Sequence, residues 1–326
     1  MSDATEPRSR YPLAWRLLDW SEAVAAAVWP ARFKRATPYL FLLPAFAIVF
    51  IIVLGLVYIG DASLRVLDPN TFRLSEDYTL ENFREVAERT VYLRILWRSL
   101  LGAVIVTAVC VTLAFPYAYA MVRTASRAMR KLLLISLFLP FFLGQVVRAY
   151  GWLIILGKQG LINNTLNALG FADVSLIYTY PGVLIGLAQY MLPFAVLLLA
   201  PALTAIPEEM ELASESLGAT WPRTFWHVVL PMAQPGLIAA SVVVFTLSIT
   251  DFAMATILGG GTTDFIANAI YDGFFQTSDA GLGSALALLL VLLTSLMIAV
   301  LFTIFGTGTL GFVADRDETH QGRETG

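Results

Sequence analysis

Hydrophobic residues along the chain are collected into six long runs separated by polar loops. Each run is long enough, at 1.5 Å per helical residue, to cross the roughly 30 Å hydrocarbon core of a bilayer. The runs lie at about 39–60, 99–121, 132–156, 182–204, 235–258 and 284–306. None shows the alternating ten-residue segments of a membrane β-barrel. The pattern therefore predicts an all-α polytopic membrane protein with six transmembrane helices.

Composition agrees with this fold class. The chain is 58% hydrophobic and only 14% charged, whereas soluble domains carry roughly 25% charged residues. The third run is interrupted by Arg148, so we expect its core over 132–147 and place 149–157 at or near the outer interface. Prolines inside several runs are compatible with membrane helices, because neighbouring helices can satisfy the freed carbonyls.

Basic residues in the loops predict the orientation. The short loop 122–131 contains no acidic residue, and its basic residues are Arg123, Arg127, Arg130 and Lys131. Because basic residues concentrate in cytoplasmic loops, we expect this loop and both termini to be cytoplasmic. The expected organisation is an N-terminal cytoplasmic segment at 1–38, a transmembrane domain at 39–306 and a disordered cytoplasmic tail at 307–326.

The N-terminal segment allows two interpretations. Trp15, Trp20 and Trp29 lie among basic residues, which is compatible with an amphipathic helix on the inner membrane surface. A poorly ordered tail with a few interfacial anchors is the alternative.

The chain offers little for catalysis or cofactor binding. Its single cysteine, Cys110, lies in an apolar run, and its two histidines, His227 and His320, are far apart. No phosphate-binding loop is present, since the glycine-lysine run at 157–160 lacks the required spacing. No basic cluster suggests nucleic acid. We therefore expect neither an enzyme nor a cofactor on this chain.

The inner loop 205–234 has the pattern of two short helices. Pro207 suits the first position of a helix, and the glutamates that follow complement its N-terminal dipole. Gly218 suits the left-handed residue after its end. Pro222 then begins a second helix, and Pro231 ends or kinks it before the next span. Lipid does not cover the apolar stripe of the first helix, so the loop predicts a protein partner. The stripe consists of Met210, Ala213, Ser214 and Leu217.

The second half of this loop has a recognisable spacing. Gly218 is followed by nine residues and then by Val228-Val229-Leu230-Pro231. The spacing resembles the signature loop of permeases in binding-protein-dependent ABC importers, which is Glu-Ala-Ala, three residues, Gly, nine residues, an aliphatic, any residue and Leu-Pro. Here the Glu-Ala-Ala position falls on Leu212-Ala213-Ser214, with the acid shifted to Glu211. By this resemblance the residues that couple to an ATPase are Glu211, Leu212, Ala213, Ser214, Gly218, Leu230 and Pro231.

Two further stretches extend the likeness over about 40–310. Phe141 to Gly170, which contains Arg148-Ala149-Tyr150-Gly151-Trp152, and Thr250-Asp251-Phe252 followed by Leu258-Gly259-Gly260 resemble the spermidine/putrescine permease subfamily. The resemblance implies a type I ABC importer permease fold in a bacterial inner membrane. It also implies a second, homologous permease subunit, two ATP-binding subunits that hold ATP and magnesium, and a periplasmic solute-binding protein.

Polar residues within the spans are the candidates for a solute pathway. Asp251 lies where an acid costs about 2.5–3.5 kcal/mol, so it either lines a pathway for a cation or caps or pairs within the bundle. Arg148 either pairs with a carboxylate or with the incoming binding protein, or it snorkels to the outer interface. Gln189 and Tyr190 either line the pathway or form hydrogen bonds between helices.

The substrate expected from the resemblance and from Asp251 is a polyamine or a similar organic cation. Opines, amino-acid-like compounds and aminophosphonates are the alternatives within the same class of importer. An ion-coupled secondary transporter is the alternative outside it, although such proteins often contain inverted repeats and several intramembrane ionisable groups. No internal repeat is evident in this chain.

Overall fold

The computed structural model describes Trp20, residues 37–71 and residues 73–305. The predicted interfacial helix, apart from Trp20, and the predicted disordered tail lie outside the described residues. The chain divides into two units, Met1–Tyr58 and Ile59–Gly326. The described part of the first unit is mainly the long helix α1, and all sites discussed below belong to the second unit.

The described chain is almost entirely helical. The helices are α1 Thr37–Ser63, α2 Glu81–Glu88, α3 Thr90–Arg123, α4 Arg127–Phe138, α5 Gln145–Leu156, α6 Leu161–Ala168, α7 Tyr180–Thr204, α8 Glu208–Ser216, α9 Trp221–Met232, α10 Gln234–Ile249, α11 Ala253–Gly259, α12 Ile266–Tyr271 and α13 Ala280–Phe305. A 3-10 turn follows α4 at Leu139–Phe142, and π turns lie at Phe225–Val229 within α9 and at Asp272–Gln276 after α12. Two short antiparallel strands, β1 Leu67–Asp68 and β2 Arg73–Leu74, pair with Leu67 opposite Leu74.

Four of the described helices, α1, α3, α7 and α13, are long and apolar enough to cross a membrane. Two bent pairs bring the number to six if each pair is one span. The segments Arg127–Phe142 and Gln145–Ala168 meet at 101°, and Trp221–Met232 meets Gln234–Ile249 at 68°. The predicted all-α polytopic class is therefore confirmed, whereas the six spans and the cytoplasmic termini stay predictions.

The prediction of an unbroken core over 132–147 in the third run and of one helix over 235–258 in the fifth run was wrong. The third run breaks at residues 143–144, because Pro140 opens a 3-10 turn and Gly144 has an extended conformation before α5. The fifth run breaks after Ile249 and resumes at Ala253. Both breaks leave backbone groups without helical partners, so nearby side chains must satisfy them.

Helices α3, α7 and α10 pack on one another and form the centre of the second unit. Their contact surfaces include fully buried Cys110, Val196 and Val244. A Cβ added at Gly236 of α10 would lie 3.6 Å from the Cα of Leu199 in α7 and would clash with Ala202. Small residues therefore allow the backbones to approach closely, as is common where membrane helices cross.

Candidate functional site

The loop 205–234 contains the two predicted helices, α8 and α9. Pro207 is the N-cap of α8 rather than its first helical residue, because its ψ of 138° is extended. Pro222 lies in the first turn of α9, as predicted. The Ser214 and Thr224 hydroxyls are 2.9 Å apart, and this hydrogen bond joins the two helices. The loop is therefore a folded helical knob.

Gly218 ends α8 in the predicted left-handed conformation, with φ of +82°. Its N–H donates to the carbonyl of Glu215 at 2.8 Å, and the Ala219 N–H donates to the carbonyl of Ser214 at 3.2 Å. This pair of bonds is a Schellman motif, which satisfies the last carbonyls of a helix. No atom lies within 4 Å of a Cβ built at Gly218, so the backbone conformation alone favours glycine here.

Glu211 attaches α8 to the C-terminal end of α3. The Tyr119 hydroxyl donates to Oε2 of Glu211 at 2.6 Å. The Arg123 guanidinium donates to Oε1 through Nε at 2.9 Å and through Nη2 at 2.6 Å. The same Nη2 also donates to the carbonyl of Ile206 at 2.9 Å. The Arg123 and Glu211 side chains are only 15% and 14% exposed.

The other predicted coupling residues divide between the interior and the surface of the knob. Leu212 is 58% exposed and Leu217 is 89% exposed, and Ala213 and Pro231 are also exposed. Ser214 and Leu230 are half-buried. The π turn in α9 adds Trp226, which is 63% exposed. The knob therefore presents large apolar side chains outward.

Asp251 lies at the break between α10 and α11. Its Oδ1 accepts a hydrogen bond from the N–H of Met254 at 2.8 Å, which caps α11. Its Oδ2 accepts a hydrogen bond from the side-chain amide of Gln145 at 2.6 Å, which links it to α5. Asp251 is 7% exposed. Within the described residues, it has no ion-pair partner.

An open cavity of about 350 Å³ borders this carboxylate. It is lined by Gln145, Tyr190, Met191, Leu247, Thr250, Asp251, Phe252 and Ala253. The tertiary structure thus brings together Asp251 and Tyr190, two of the pathway candidates. Gln189 and Arg148 are not among the lining residues.

Arg148 is buried, with 9% exposure, and its guanidinium points into the protein. Its Nη2 donates to the carbonyls of Pro140 and Leu143, the latter at 3.0 Å. The guanidinium carbon also lies 4.9 Å from the centre of the Tyr190 ring. The snorkelling interpretation was therefore wrong, because the carbonyls freed at the α4–α5 break hold this side chain inside.

Gln189 forms a hydrogen bond between helices, one of its two predicted roles. Its Oε1 accepts from the indole N–H of Trp152 at 3.2 Å.

A row of aromatic rings starts at the cavity beside Asp251 and continues into the π turn after α12. Phe252 and Tyr271 have ring centroids 4.9 Å apart, and Tyr271 and Phe275 are also 4.9 Å apart.

Comparison with known proteins places this arrangement in a family. Residues 110–308 match the family described as binding-protein-dependent transport system inner membrane component. The chain belongs to this family. It is a multi-pass inner-membrane permease of an ABC importer and a transport subunit rather than an enzyme. The secondary-transporter alternative is therefore wrong.

Two curated relatives cover most of this permease. The spermidine/putrescine transport system permease protein PotB of Haemophilus influenzae is 31% identical over 226 residues, which are 69% of this chain and 78% of PotB. The inner membrane ABC transporter permease protein YdcU of Escherichia coli is 31% identical over 264 residues, 75% of this chain and 84% of YdcU.

A solved structure shares the fold of the permease. A chain of the bacterial alginate ABC transporter, crystallised in complex with alginate pentasaccharide-bound periplasmic protein, superimposes with a TM-score of 0.72. The match covers 85% of this chain and 97% of that chain at 16% identity. At this identity the likeness concerns the fold alone.

Three polar residues of these sites were not predicted from the sequence. Tyr119 and Arg123 are four residues apart and therefore share one face of α3, a signal that was present at the C-terminal end of an apolar run. Gln145 gave no such signal, because its partner Asp251 is distant in sequence. Among the described residues, no group of three histidine, cysteine or acidic side chains could hold a metal ion.

Proposed function

We propose that this permease imports a small organic cation, with a polyamine as the best candidate, and that separate ATPase subunits drive it through the loop 205–234. It would form half of the translocation pathway beside a second, homologous permease subunit. Two ATP-binding subunits would hold ATP and magnesium, and a periplasmic binding protein would deliver the substrate. The observation that carries the choice of substrate is the buried Asp251 carboxylate at the wall of an open cavity.

The surface of the knob supports docking of an ATPase. Leu217, Trp226 and Leu212 are more than half exposed, and large apolar side chains are characteristic of the centres of protein interfaces. The Schellman turn at Gly218 and the hydrogen bond between α8 and α9 give the knob a defined shape before it binds. A preformed surface loses less conformational entropy on association.

The charge of Asp251 supports a cationic substrate. Its two hydrogen bonds leave lone pairs on both oxygens, because a carboxylate can accept about four. Among the described residues no cationic side chain lies within ion-pair distance of Asp251, and an unpaired charge is costly inside a membrane protein. An ammonium group in the cavity would supply the balance and would form a charge-assisted hydrogen bond.

Aromatic rings beside the carboxylate add to this argument. Phe252 lines the same cavity, and Tyr271 continues the row of rings away from it. The Tyr190 ring also lines the cavity, but the Arg148 guanidinium carbon already lies 4.9 Å from its centre. A ring face attracts a cation within about 6 Å of its centroid, and a desolvated contact contributes about 2 kcal/mol. An acid with adjoining rings therefore suits an alkylammonium chain, which carries both charge and apolar methylenes.

Other substrates of this importer class fit the cavity less well. Opines, amino-acid-like compounds and aminophosphonates carry acidic groups that Asp251 would repel. The names of the PotB relatives also favour spermidine and putrescine. Opines, amino-acid-like compounds and aminophosphonates should nevertheless be tested beside the polyamines, because the binding protein contributes much of the substrate selection in such importers.

The direct test is reconstitution of the whole transporter. The chain would be co-expressed with its genomic neighbours, purified by a tag on this subunit and placed in liposomes. ATP hydrolysis would be measured with the binding protein and putrescine, spermidine, an opine or an aminophosphonate. Co-purification of an ATPase and stimulation by a polyamine are the expected results. Stimulation by an opine alone would overturn the choice of substrate, and absence of any ATPase would overturn the proposed coupling.

A matched pair of variants tests the role of Asp251. Asp251→Asn removes the charge but keeps an oxygen that can cap α11, and Asp173→Asn removes an exposed acid that bonds Asn167 in an outer loop. Loss of a charge-assisted bond of about 1.5–3 kcal/mol predicts roughly a 10- to 100-fold weaker uptake of the polyamine by Asp251→Asn. Equal uptake by the two variants would exclude Asp251 from the pathway.

A further inference from the structure

We propose that Tyr119, Arg123 and Glu211 form a latch that fixes α8 to the C-terminal end of α3, so that the two helices move together when the ATPases act. The proposal rests on the proposed docking of ATPases at the knob and names the element of this chain that receives the motion. Tyr119 and Arg123 are positioning residues, since they act through Glu211.

Among the described residues, the latch has more side-chain hydrogen bonds than any other contact between the knob and the rest of the protein. Both oxygens of Glu211 are occupied, one by the Tyr119 hydroxyl and the other by two nitrogens of Arg123. The bond from Arg123 to the Ile206 carbonyl also fixes the chain segment that leads from α7 into α8. The arrangement therefore ties α3, the end of α7 and α8 to one guanidinium.

Burial distinguishes this ion pair from an ordinary surface pair. Exposed pairs contribute little, because solvent screens them and two long side chains must be ordered. Arg123 and Glu211 are about 15% and 14% exposed, and loss of one partner would leave the other charge poorly solvated. A second acid, Glu208, lies 3.9 Å from Arg123 but is 70% exposed, so it is a weaker partner.

The position of Glu211 has a consequence for the docking surface. Its carboxylate is directed towards α3, whereas the neighbouring Leu212 is 58% exposed. The acid next to the exposed apolar surface is thus occupied within the permease and is not offered to the ATPase. A displacement of α8 by the ATPase would pull on the C-terminal end of α3, whose packing against α7 and α10 forms the protein core.

The test uses the reconstituted transporter with its binding protein and compares Glu211→Gln, Arg123→Met and the double variant. The readouts are the amount of ATPase that co-purifies, ATP hydrolysis, and putrescine taken up per ATP hydrolysed. We expect normal co-purification and about a tenfold loss of uptake per ATP for each single variant. The double variant should lose about the same tenfold, because residues of one network are not additive.

Three companion variants make the test specific. Arg123→Lys, which keeps a charged donor for Glu211 and the Ile206 carbonyl, should recover most of the uptake per ATP that Arg123→Met loses, with no change in co-purifying ATPase. Glu208→Gln should have a smaller effect than Glu211→Gln. The Arg84–Glu88 pair on α2, with side chains 66% and 64% exposed, provides a matched exposed pair, and Arg84→Met with Glu88→Gln should change coupling by less than about twofold.

Two results would overturn the latch. One is loss of co-purifying ATPase in Glu211→Gln but not in Arg123→Met, because Glu211 would then contact the ATPase. The other is an approximately hundredfold loss in the double variant, because independent contributions multiply. Failure of the wild-type complex to hold any ATPase would instead refute the proposed function. If the wild-type complex hydrolyses ATP in response to the binding protein but takes up no putrescine, only the choice of substrate is refuted. The variants would then be compared by their rates of ATP hydrolysis.

Discussion

Replacement of Gly218 gives the sharpest prediction about the knob, because the structure leaves only one cost to consider, that of the backbone conformation. No atom lies within 4 Å of a Cβ at this position, so a small side chain meets no clash. The remaining cost is that of the left-handed conformation at φ of +82°. For an L-residue this is roughly 1–2 kcal/mol, which changes the ratio of the native turn to alternative conformations by about 5- to 30-fold.

The identity of the substituted residue sets an order of effects. Asn tolerates the left-handed region better than Ala, and β-branched Val tolerates it least. Asp combines this tolerance with a negative charge at the C-terminus of α8, where the helix dipole makes it unfavourable by about 0.3–1 kcal/mol. We therefore expect coupled transport to decrease from wild type to Asn, then to Asp and Ala, and to be lowest for Val. The subunit should insert normally in every case.

The assay is binding-protein-dependent uptake by reconstituted complexes, normalised to the permease in the liposomes. Gly151→Val in α5 is the control for a β-branched residue in place of glycine, because it too has no atom within 4 Å of a built Cβ and lies away from the knob. Equal uptake by Gly218→Val and the wild type would refute the reasoning. Equal losses for Asn and Val would also refute it, because the backbone cost would not then determine the effect.

Three other changes should alter stability in defined directions. Arg148→Met should lower the unfolding temperature in detergent, because the Leu143 carbonyl loses a donor at about 1–3 kcal/mol, whereas the Pro140 carbonyl keeps the N–H of Leu143. Arg148→Lys should lower it less. Gly236→Leu should destabilise the α7–α10 contact by about 1–3 kcal/mol through overpacking, whereas Gly151→Leu should have little effect. Equal changes in the unfolding temperature of the two variants would contradict this. Burial and the Asp272 carboxylate raise the pKa of Asp264 above its ordinary 3.8, so ionisation destabilises the fold as pH rises through that raised value. Asp264→Asn should thus raise the unfolding temperature at pH 7.5 but not at a pH where Asp264 is protonated. If the variant and the wild type differed in unfolding temperature by the same amount at both pH values, the raised pKa of Asp264 would be contradicted.

Local patterns in the sequence were sufficient for the fold class and for the knob. Long apolar runs predict membrane helices because every backbone group must be bonded within the segment. Pro222 and Gly218 predict the start of α9 and the end of α8 because each constrains its own backbone angles. Such signals depend only on neighbouring residues, and for this reason they could be predicted from a single sequence.

The breaks in the helices were only partly visible in the sequence. Pro140 and Arg148 both marked the third run, but a proline within a membrane helix does not always break it. At the 101° bend, Arg148 donates to the carbonyls of Pro140 and Leu143, a contact that the sequence pattern did not predict. At the second break, the Asp251 side chain caps the helix that follows.

By itself, the sequence determined that this protein is a helical membrane protein with a folded helical loop, because hydrophobic length, proline and glycine act locally. The resemblance of that loop to a known family was what indicated a permease. Tertiary structure alone decided which polar side chains meet. Glu211 finds Tyr119 and Arg123 across 88 or more positions, and Asp251 finds Gln145 across 106. Contacts at such separations depend on how helices cross, and the crossing is set by packing of the whole bundle rather than by any one segment.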